Sequence, residues 1–116
     1  MISKYSPSAV IVIALAPIPG TSMQQLAPPT PLDIARVLVM TRLMMPATPL
    51  VLGCMRPKGE HRAETDTMAV KAGVNAIAFP EETAVQLAKS MQLETAFSPL
   101  CCSQVFEDIK RDVWKP

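Results

Sequence analysis

Apolar residues are concentrated in three blocks along this chain, and each block has the composition of a buried strand. Residues 9–16, AVIVIALA, form an apolar run without alternation that is rich in β-branched side chains. Residues 49–55, PLVLGCM, and residues 74–79, VNAIAF, form two further runs of this kind. Continuous apolar runs are typical of strands covered on both faces, as in parallel sheets, so the pattern predicts three such strands.

The first helix is predicted between the first and second strands. Thr30 is a favourable N-cap, Pro31 suits the first helical position, and Asp33 follows the cap by three residues, which is close to a capping box. The helix should end before Pro46. Because it carries few charges, most of its circumference is expected to be apolar.

Two more helices follow the second and third strands. Residues 59–72 predict a helix that is polar outside and ends before Gly73, with one face formed by Ala63, Thr67 and Val70. Residues 80–91 predict a third helix with Pro80 and two glutamates in its first turn. The order β-α-β-α-β-α predicts a parallel sheet with right-handed crossovers.

We expect one domain over residues 1–116, with a core at 9–91 and a polar tail at 92–116 that contains a short amphipathic helix over 103–114. A closed barrel needs eight units and about 250 residues. The fold class predicted is therefore α/β, a partial (half) TIM-type barrel of three parallel β-α units plus a C-terminal tail, with a small open sheet as the alternative. The apolar strands and first helix favour a partner surface, either another chain or a second copy in a homo-oligomer.

Composition narrows the classes of function. The chain is 49% hydrophobic, but Pro17 and Pro19 interrupt its longest apolar segment, so no membrane span and no signal peptide are expected. A net charge of +1 and an aromatic content of 4% give no basis for nucleic-acid binding. Three cysteines, an odd number, indicate a reducing compartment. These features predict a cytoplasmic protein.

Candidate chemistry lies where the second strand ends. In parallel α/β folds the loops after the carboxyl ends of the strands build the site. There Cys54 offers a soft ligand or nucleophile, and Arg56 can hold a carboxylate or phosphate by a bidentate fork. We therefore predict that Cys54 and Arg56 contact a small-molecule substrate. The alternative for Cys54 is a small buried apolar side chain.

Five other polar or sulfur-bearing residues carry weaker signals. His61 has no evident partner and is expected at the surface, while Arg62 and Asp66, four apart, predict an ordinary ion pair along the second helix. The adjacent Cys101 and Cys102 could supply thiolates to zinc or an iron–sulfur cluster. Since no Cys-x2-Cys spacing is present, a structural role is the alternative.

Three segments in order, ALAPIPGTSM at 14–23, PPTPLDIARVLVMTRLMMP at 28–46 and LVLGCMRPKGEHRAETDTMAVKAGVNAIAFP at 50–80, carry a resemblance to a known family. Over residues 9–82 the chain resembles the C-terminal part of the biotin-synthase-like branch of radical S-adenosylmethionine (SAM) enzymes. That branch includes biotin synthase, methylornithine synthase and the archaeal two-component lipoyl synthase. The resemblance implies a barrel enzyme whose four-iron cluster cleaves SAM to a 5′-deoxyadenosyl radical.

The cluster motif Cys-x3-Cys-x2-Cys is absent from this sequence. The resemblance therefore implies a barrel half that is inactive alone, with the iron–sulfur cluster supplied by the missing half or by a cluster-bearing partner chain. It also implies SAM contacts at Ala14, Ala16 and Pro17. Val51 stands where biotin synthase presents an arginine to an auxiliary cluster, whereas an auxiliary or sulfur-handling site here would use Cys54, Cys101 and Cys102.

Two other classes of protein remain open from the sequence. One is a non-catalytic truncated paralogue that serves as a binding or assembly module. The other is a small α/β anion-binding protein with its ligand at Arg56.

Overall fold

The computed structural model describes residues 2–111, and its centre is a three-stranded parallel sheet in the order β1-β2-β3. The strands are β1 (Val10–Val12), β2 (Leu50–Leu52) and β3 (Ala76–Ile77). Val51 lies between its partners Ile11 and Ala76 on the neighbouring strands. The predicted α/β class and parallel sheet are confirmed, although each ladder is shorter than its apolar run.

Extended backbone continues beyond the ladders and keeps the strand ends together. The N–H of Gly53 donates to the carbonyl of Val12 at 2.8 Å, and the N–H of Ala14 donates to the carbonyl of Met55 at 2.8 Å. The first and second strands therefore stay side by side up to the loops that follow them.

The first helix, α1 (Pro31–Met44), begins and ends as predicted. The Thr30 hydroxyl oxygen accepts a hydrogen bond from the Asp33 N–H at 3.2 Å. The Asp33 carboxylate in turn accepts from the Thr30 N–H at 3.4 Å, which completes the capping box. Met45 is the C-cap, one residue before Pro46.

The second helix, α2 (Glu60–Lys71), lies where it was predicted, but its buried face differs. The buried residues are Thr65, Asp66 and Ala69, whereas the predicted face of Ala63, Thr67 and Val70 is only half-buried. The prediction was wrong because it assumed that an aspartate lies in solvent. The carboxylate of Asp66 is instead buried in an ion pair with Arg56.

The remaining helices are α3 (Glu82–Ser90) and α4 (Phe106–Lys110), and Ile2–Tyr5 forms a 3₁₀ turn. Pro80 lies outside α3 rather than in its first turn, because Glu81 is still extended and serves as the N-cap. The short tail helix was predicted over residues 103–114. Within residues 2–111 the helix observed in this segment is α4, and residues 112–114 of the predicted helix lie outside the described residues.

The main core lies between the sheet and the helices. Its buried members are Ala14, Ile34, Leu38, Leu50, Leu52 and Ala69. Helix α1 packs against α2, and α2 packs against α3. Because successive strand residues point to opposite faces, Val51 lies on the face away from Leu50 and Leu52, and it is also fully buried.

The tail runs from the end of α3 back towards the carboxyl ends of the strands. It turns where the Leu93 N–H donates to the carbonyl of Ala88 at 3.0 Å. Residues 93–102 then form one wall of a cavity whose other walls include β3 and α3. The tail thereby brings its two cysteines to the end of the sheet where Cys54 lies.

Helix α1 leaves much apolar surface in solvent. Its exposed apolar residues are Leu32, Val37, Val39, Met40, Leu43 and Met44. The apolar circumference predicted for this helix is therefore confirmed. Packing against α2 leaves part of that apolar surface exposed. Within residues 2–111, every helix is too short or too polar to cross a membrane.

Candidate functional site at the carboxyl ends of the strands

A cleft of about 430 Å³ lies at the carboxyl ends of the first two strands, and we call it the mouth cleft. It is lined by Ala16, Pro17, Pro28, Cys54, Met55, Arg56, Pro57 and Lys58. Two of its walls are the loops that follow β1 and β2, which the parallel topology brings to one edge of the sheet.

The three residues to which the resemblance assigned SAM contacts occupy two different places. Ala16 and Pro17 line the mouth cleft. Ala14 lies below it in the core with 2% of its surface exposed, and its N–H is used in the bond to Met55. Of these three residues, only Ala16 and Pro17 therefore lie where a ligand in the mouth cleft could contact them.

Arg56 lies at the mouth, but its guanidinium is turned into the protein. Its Nε and Nη2 donate to the two carboxylate oxygens of Asp66 at 2.8 and 3.0 Å. Nη1 donates to the carbonyl of Gly53 at 2.6 Å, and Nη2 also donates to the carbonyl of Ala78 at 2.8 Å. Neither side chain of the ion pair has exposed surface.

This arrangement bears on two expectations from the sequence. The predicted grip of Arg56 on an anionic group is not supported, because Asp66 already neutralises the guanidinium and no surface of it reaches solvent. The expected pair of Arg62 with Asp66 is wrong. Arg62 instead donates to the carbonyls of Cys54 and Arg56, each at 3.3 Å.

Cys54 is exposed at the mouth cleft, so the alternative of a small buried apolar side chain is wrong. The exposed cation of this cleft is Lys58, which no motif or spacing in the sequence distinguishes. His61 is half-buried, and its Nε2 forms a 2.8 Å hydrogen bond with the carbonyl of Pro29. That partner lies 32 residues away in sequence, so no local pattern indicates it.

Cys101 and Cys102 lie side by side with their sulfurs 4.0 Å apart. The pKa of Cys101 is lowered, first by the backbone N–H of Ser103 and then by the Ser103 hydroxyl and the Cys102 thiol. Burial raises the pKa of the Cys102 thiol, although the Cys54 backbone N–H opposes that shift. The thiolate form is thus favoured more at Cys101 than at Cys102.

All three cysteines line a second cavity of about 770 Å³ between β3, α3 and the tail, which we call the tail cavity. The structure therefore gathers them at one end of the sheet. Within residues 2–111, however, no group of three or more His, Cys, Asp or Glu side chains is arranged to hold a metal ion. The auxiliary cluster remains a prediction.

The sheet, the site at its strand ends and the sequence agree with a known domain class. Residues 12–109 match the Biotin and Thiamin Synthesis associated (BATS) domain, and the chain belongs to that family. Among curated proteins, biotin synthase from Ruthia magnifica subsp. Calyptogena magnifica is 34% identical over 80 residues, which is 68% of this chain and 24% of that protein. The chain thus spans about a quarter of its relative's length. No solved structure matches it. The resemblance to biotin-synthase-like enzymes is confirmed.

Proposed function

We propose that the chain forms one wall of a radical SAM barrel, as a half TIM-type barrel whose mouth cleft contacts SAM and a small-molecule substrate. The observation that carries the proposal is the coincidence of the BATS match with a concave site at the carboxyl ends of parallel strands. In barrels of this kind, catalytic sites are built at that end.

An incomplete sheet edge supports the need for a second, cluster-bearing half. Within residues 2–111, β1 pairs with β2 on one side only. Ile13, just after β1, is 61% exposed, and Met40 and Leu43 on α1 are 56% and 71% exposed. The open edge and the exposed apolar face of α1 are each suited to contact with a further part of a barrel, since exposed edges and large apolar patches favour association.

The division of chemistry follows from the residues present. The sequence contains no Cys-x3-Cys-x2-Cys, so the partner half would supply the iron–sulfur cluster that, with SAM, generates the hydrogen-abstracting radical. In the mouth cleft, Ala16 and Pro17 would offer apolar contacts to SAM, and Cys54, which also lines the cleft, would contact the substrate. Lys58 is the exposed cation there, while Arg56 positions the loop.

The decisive experiment mixes the purified full chain with a reconstituted cluster-bearing half under anaerobic conditions. We expect a complex by size-exclusion chromatography and faster formation of 5′-deoxyadenosine from SAM than with either component alone. No complex and no gain in SAM cleavage would overturn the proposal and favour a non-catalytic assembly module.

Two variants connect that experiment to the structure. Leu43→Glu places a charge on the exposed apolar face of α1, so it should weaken the complex while leaving the isolated chain folded. Lys89→Glu changes the charge of the exposed end of α3 and serves as the control. Equal effects of the two variants on complex formation would argue against α1 as the contact surface.

Ligand contact at the mouth cleft needs a separate test. Ala16→Trp would fill the cleft without breaking any hydrogen bond described for Ala16. We expect the assembled complex of this variant to bind SAM more weakly by equilibrium dialysis. Unchanged SAM affinity would remove the mouth cleft from the proposal.

A further inference from the structure

The adjacent thiols in the tail have the geometry of a chelating pair. The sulfurs of Cys101 and Cys102 lie 4.0 Å apart on the wall of the tail cavity. Two sulfurs that each lie about 2.3 Å from one ion are at most about 4.6 Å apart, in linear two-coordinate geometry, so a separation of 4.0 Å is within that limit. A small rotation of either side chain therefore allows both sulfurs to reach one ion.

The surroundings of the pair favour thiolate ligands. The hydroxyl of Ser103 donates to the sulfur of Cys101 at 3.6 Å. Cys101 is exposed, so an ion in solvent can reach it. Cys102 is only half-buried, and a cation that binds both sulfurs would displace their protons to solvent.

We infer that Cys101 and Cys102 form a two-thiolate site for a soft monovalent cation of the copper(I) class. Soft thiolate ligands select copper(I) and zinc, but zinc in structural sites takes four protein ligands. Among residues 2–111 no set of three or more such ligands is arranged around a common point. A cation that is stably bound by two sulfurs alone therefore fits the pair best. The inference is independent of the radical SAM proposal.

Cys54 is the internal control for this site. It lines the same cavity, and its backbone N–H faces the sulfur of Cys102, yet its side chain is not part of a three-ligand set. A site made by the adjacent pair should therefore survive the loss of the Cys54 thiol. If any exposed thiol of the chain bound soft metals equally well, the loss of the Cys54 thiol would instead weaken binding as much as the loss of Cys101.

The experiment titrates the full chain, reduced and then freed of reductant, with copper(I) in competition with a chromogenic copper(I) chelator under anaerobic conditions. We expect one ion per chain. Cys101→Ser and Cys102→Ser should each lower the affinity by about tenfold or more, since even outer-shell changes cost metal sites about 10- to 100-fold. Cys54→Ser should leave the affinity within about twofold.

Alkylation followed by peptide mass spectrometry gives a second readout that does not depend on affinity. Copper(I) should protect Cys101 and Cys102 from iodoacetamide and leave Cys54 reactive. The inference is overturned if the chain does not compete with the chelator, if Cys54→Ser weakens binding as much as Cys101→Ser, or if the metal protects all three thiols equally. Circular dichroism of each variant excludes loss of the fold as the cause.

Discussion

The guanidinium of Arg56 and the carboxylate of Asp66 form a fully buried bidentate ion pair, with Nε 2.8 Å from Oδ1 and Nη2 3.0 Å from Oδ2. Asp66 also accepts the N–H of Glu81 at 2.9 Å, and Arg56 donates to the carbonyls of Gly53 and Ala78. One pair thus connects the ends of β2 and β3 to α2 and the start of α3. It fixes the floor of the candidate site.

Removing one partner of this pair should be strongly destabilising. Arg56→Ala leaves the Asp66 carboxylate buried without its counter-charge, which typically costs about 3–5 kcal/mol. Urea unfolding followed by circular dichroism measures the loss. Arg36→Ala is the matched control, because Arg36 pairs with Asp33 in solvent with side-chain exposures of 68% and 52% and should change stability by less than about 1 kcal/mol.

The fork geometry gives this prediction a second test. Arg56→Lys keeps the charge but has a single ammonium in place of the planar donor set that reaches Asp66 and two carbonyls. It should recover only part of the stability lost in Arg56→Ala. If Arg56→Lys unfolds at the same urea concentration as the unchanged chain, the bidentate pairing is not what stabilises this end of the sheet.

A feature of the fold could be predicted from the sequence where the residues that form it lie within a few positions of one another along the chain. The capping box of Thr30 and Asp33 lies within one helical turn, so its residues alone reveal it. The partner of Arg56 could not be predicted in this way. Helix periodicity favoured Asp66 with Arg62, four residues apart, whereas the real partner is ten residues away and faces Asp66 because of the turn after β2.

The candidate site likewise contains residues whose position the order of strands and helices predicts and residues whose position it does not. Ala16 and Cys54 meet because parallel strands end at one edge, and the order of strands and helices already predicts that topology. The place of Cys101 and Cys102 depends on the path of the tail, which has no apolar periodicity over residues 93–102. Only the three-dimensional structure brings these thiols to the end of β2.

Gly53 should not tolerate a side chain. A Cβ at this position would lie 2.6 Å from Cγ2 of Ile13 and 2.8 Å from Cγ2 of Ile11, both closer than van der Waals contact. Gly53→Ala should therefore lower the free energy of unfolding by about 1–3 kcal/mol, as overpacking does. Adding Ile13→Ala removes the nearest atom and should restore part of the loss in urea unfolding. No recovery in the double variant would mean that the clash is not the cause.

The capping box should make stability depend on pH at the acidic end. Hydrogen bonds from the Thr30 side chain and backbone, followed by the charge of Arg36, lower the pKa of Asp33 below its usual value of 3.8. A carboxyl whose pKa is lower when folded contributes stability above the unfolded pKa and loses it as the pH falls through the folded pKa. The contribution is thus complete at neutral pH and disappears below 3.8.

Asp33→Asn tests that dependence directly. At neutral pH the variant should unfold at a lower urea concentration than the unchanged chain, and the two midpoints should converge as the carboxyl becomes protonated. Glu64→Gln, at an exposed position of α2, controls for a general effect of removing one acidic charge. A difference between Asp33→Asn and the unchanged chain that stays constant down to acidic pH would contradict the assignment.

Cys101 and Cys102 should differ in their rates of alkylation, and their order follows from exposure and pKa. Cys101 is exposed and has a lowered pKa, so more of it is thiolate below the usual value of 9.0, and it should react before Cys102, whose pKa burial raises. Rates from iodoacetamide labelling and peptide mass spectrometry across neutral to alkaline pH measure the order. Ser103→Ala removes the hydroxyl bond to Cys101 but keeps the stronger backbone contribution, so it should slow Cys101 modestly and leave Cys54 unchanged. Faster labelling of Cys102 than of Cys101 would show that the tail does not hold the pair as described.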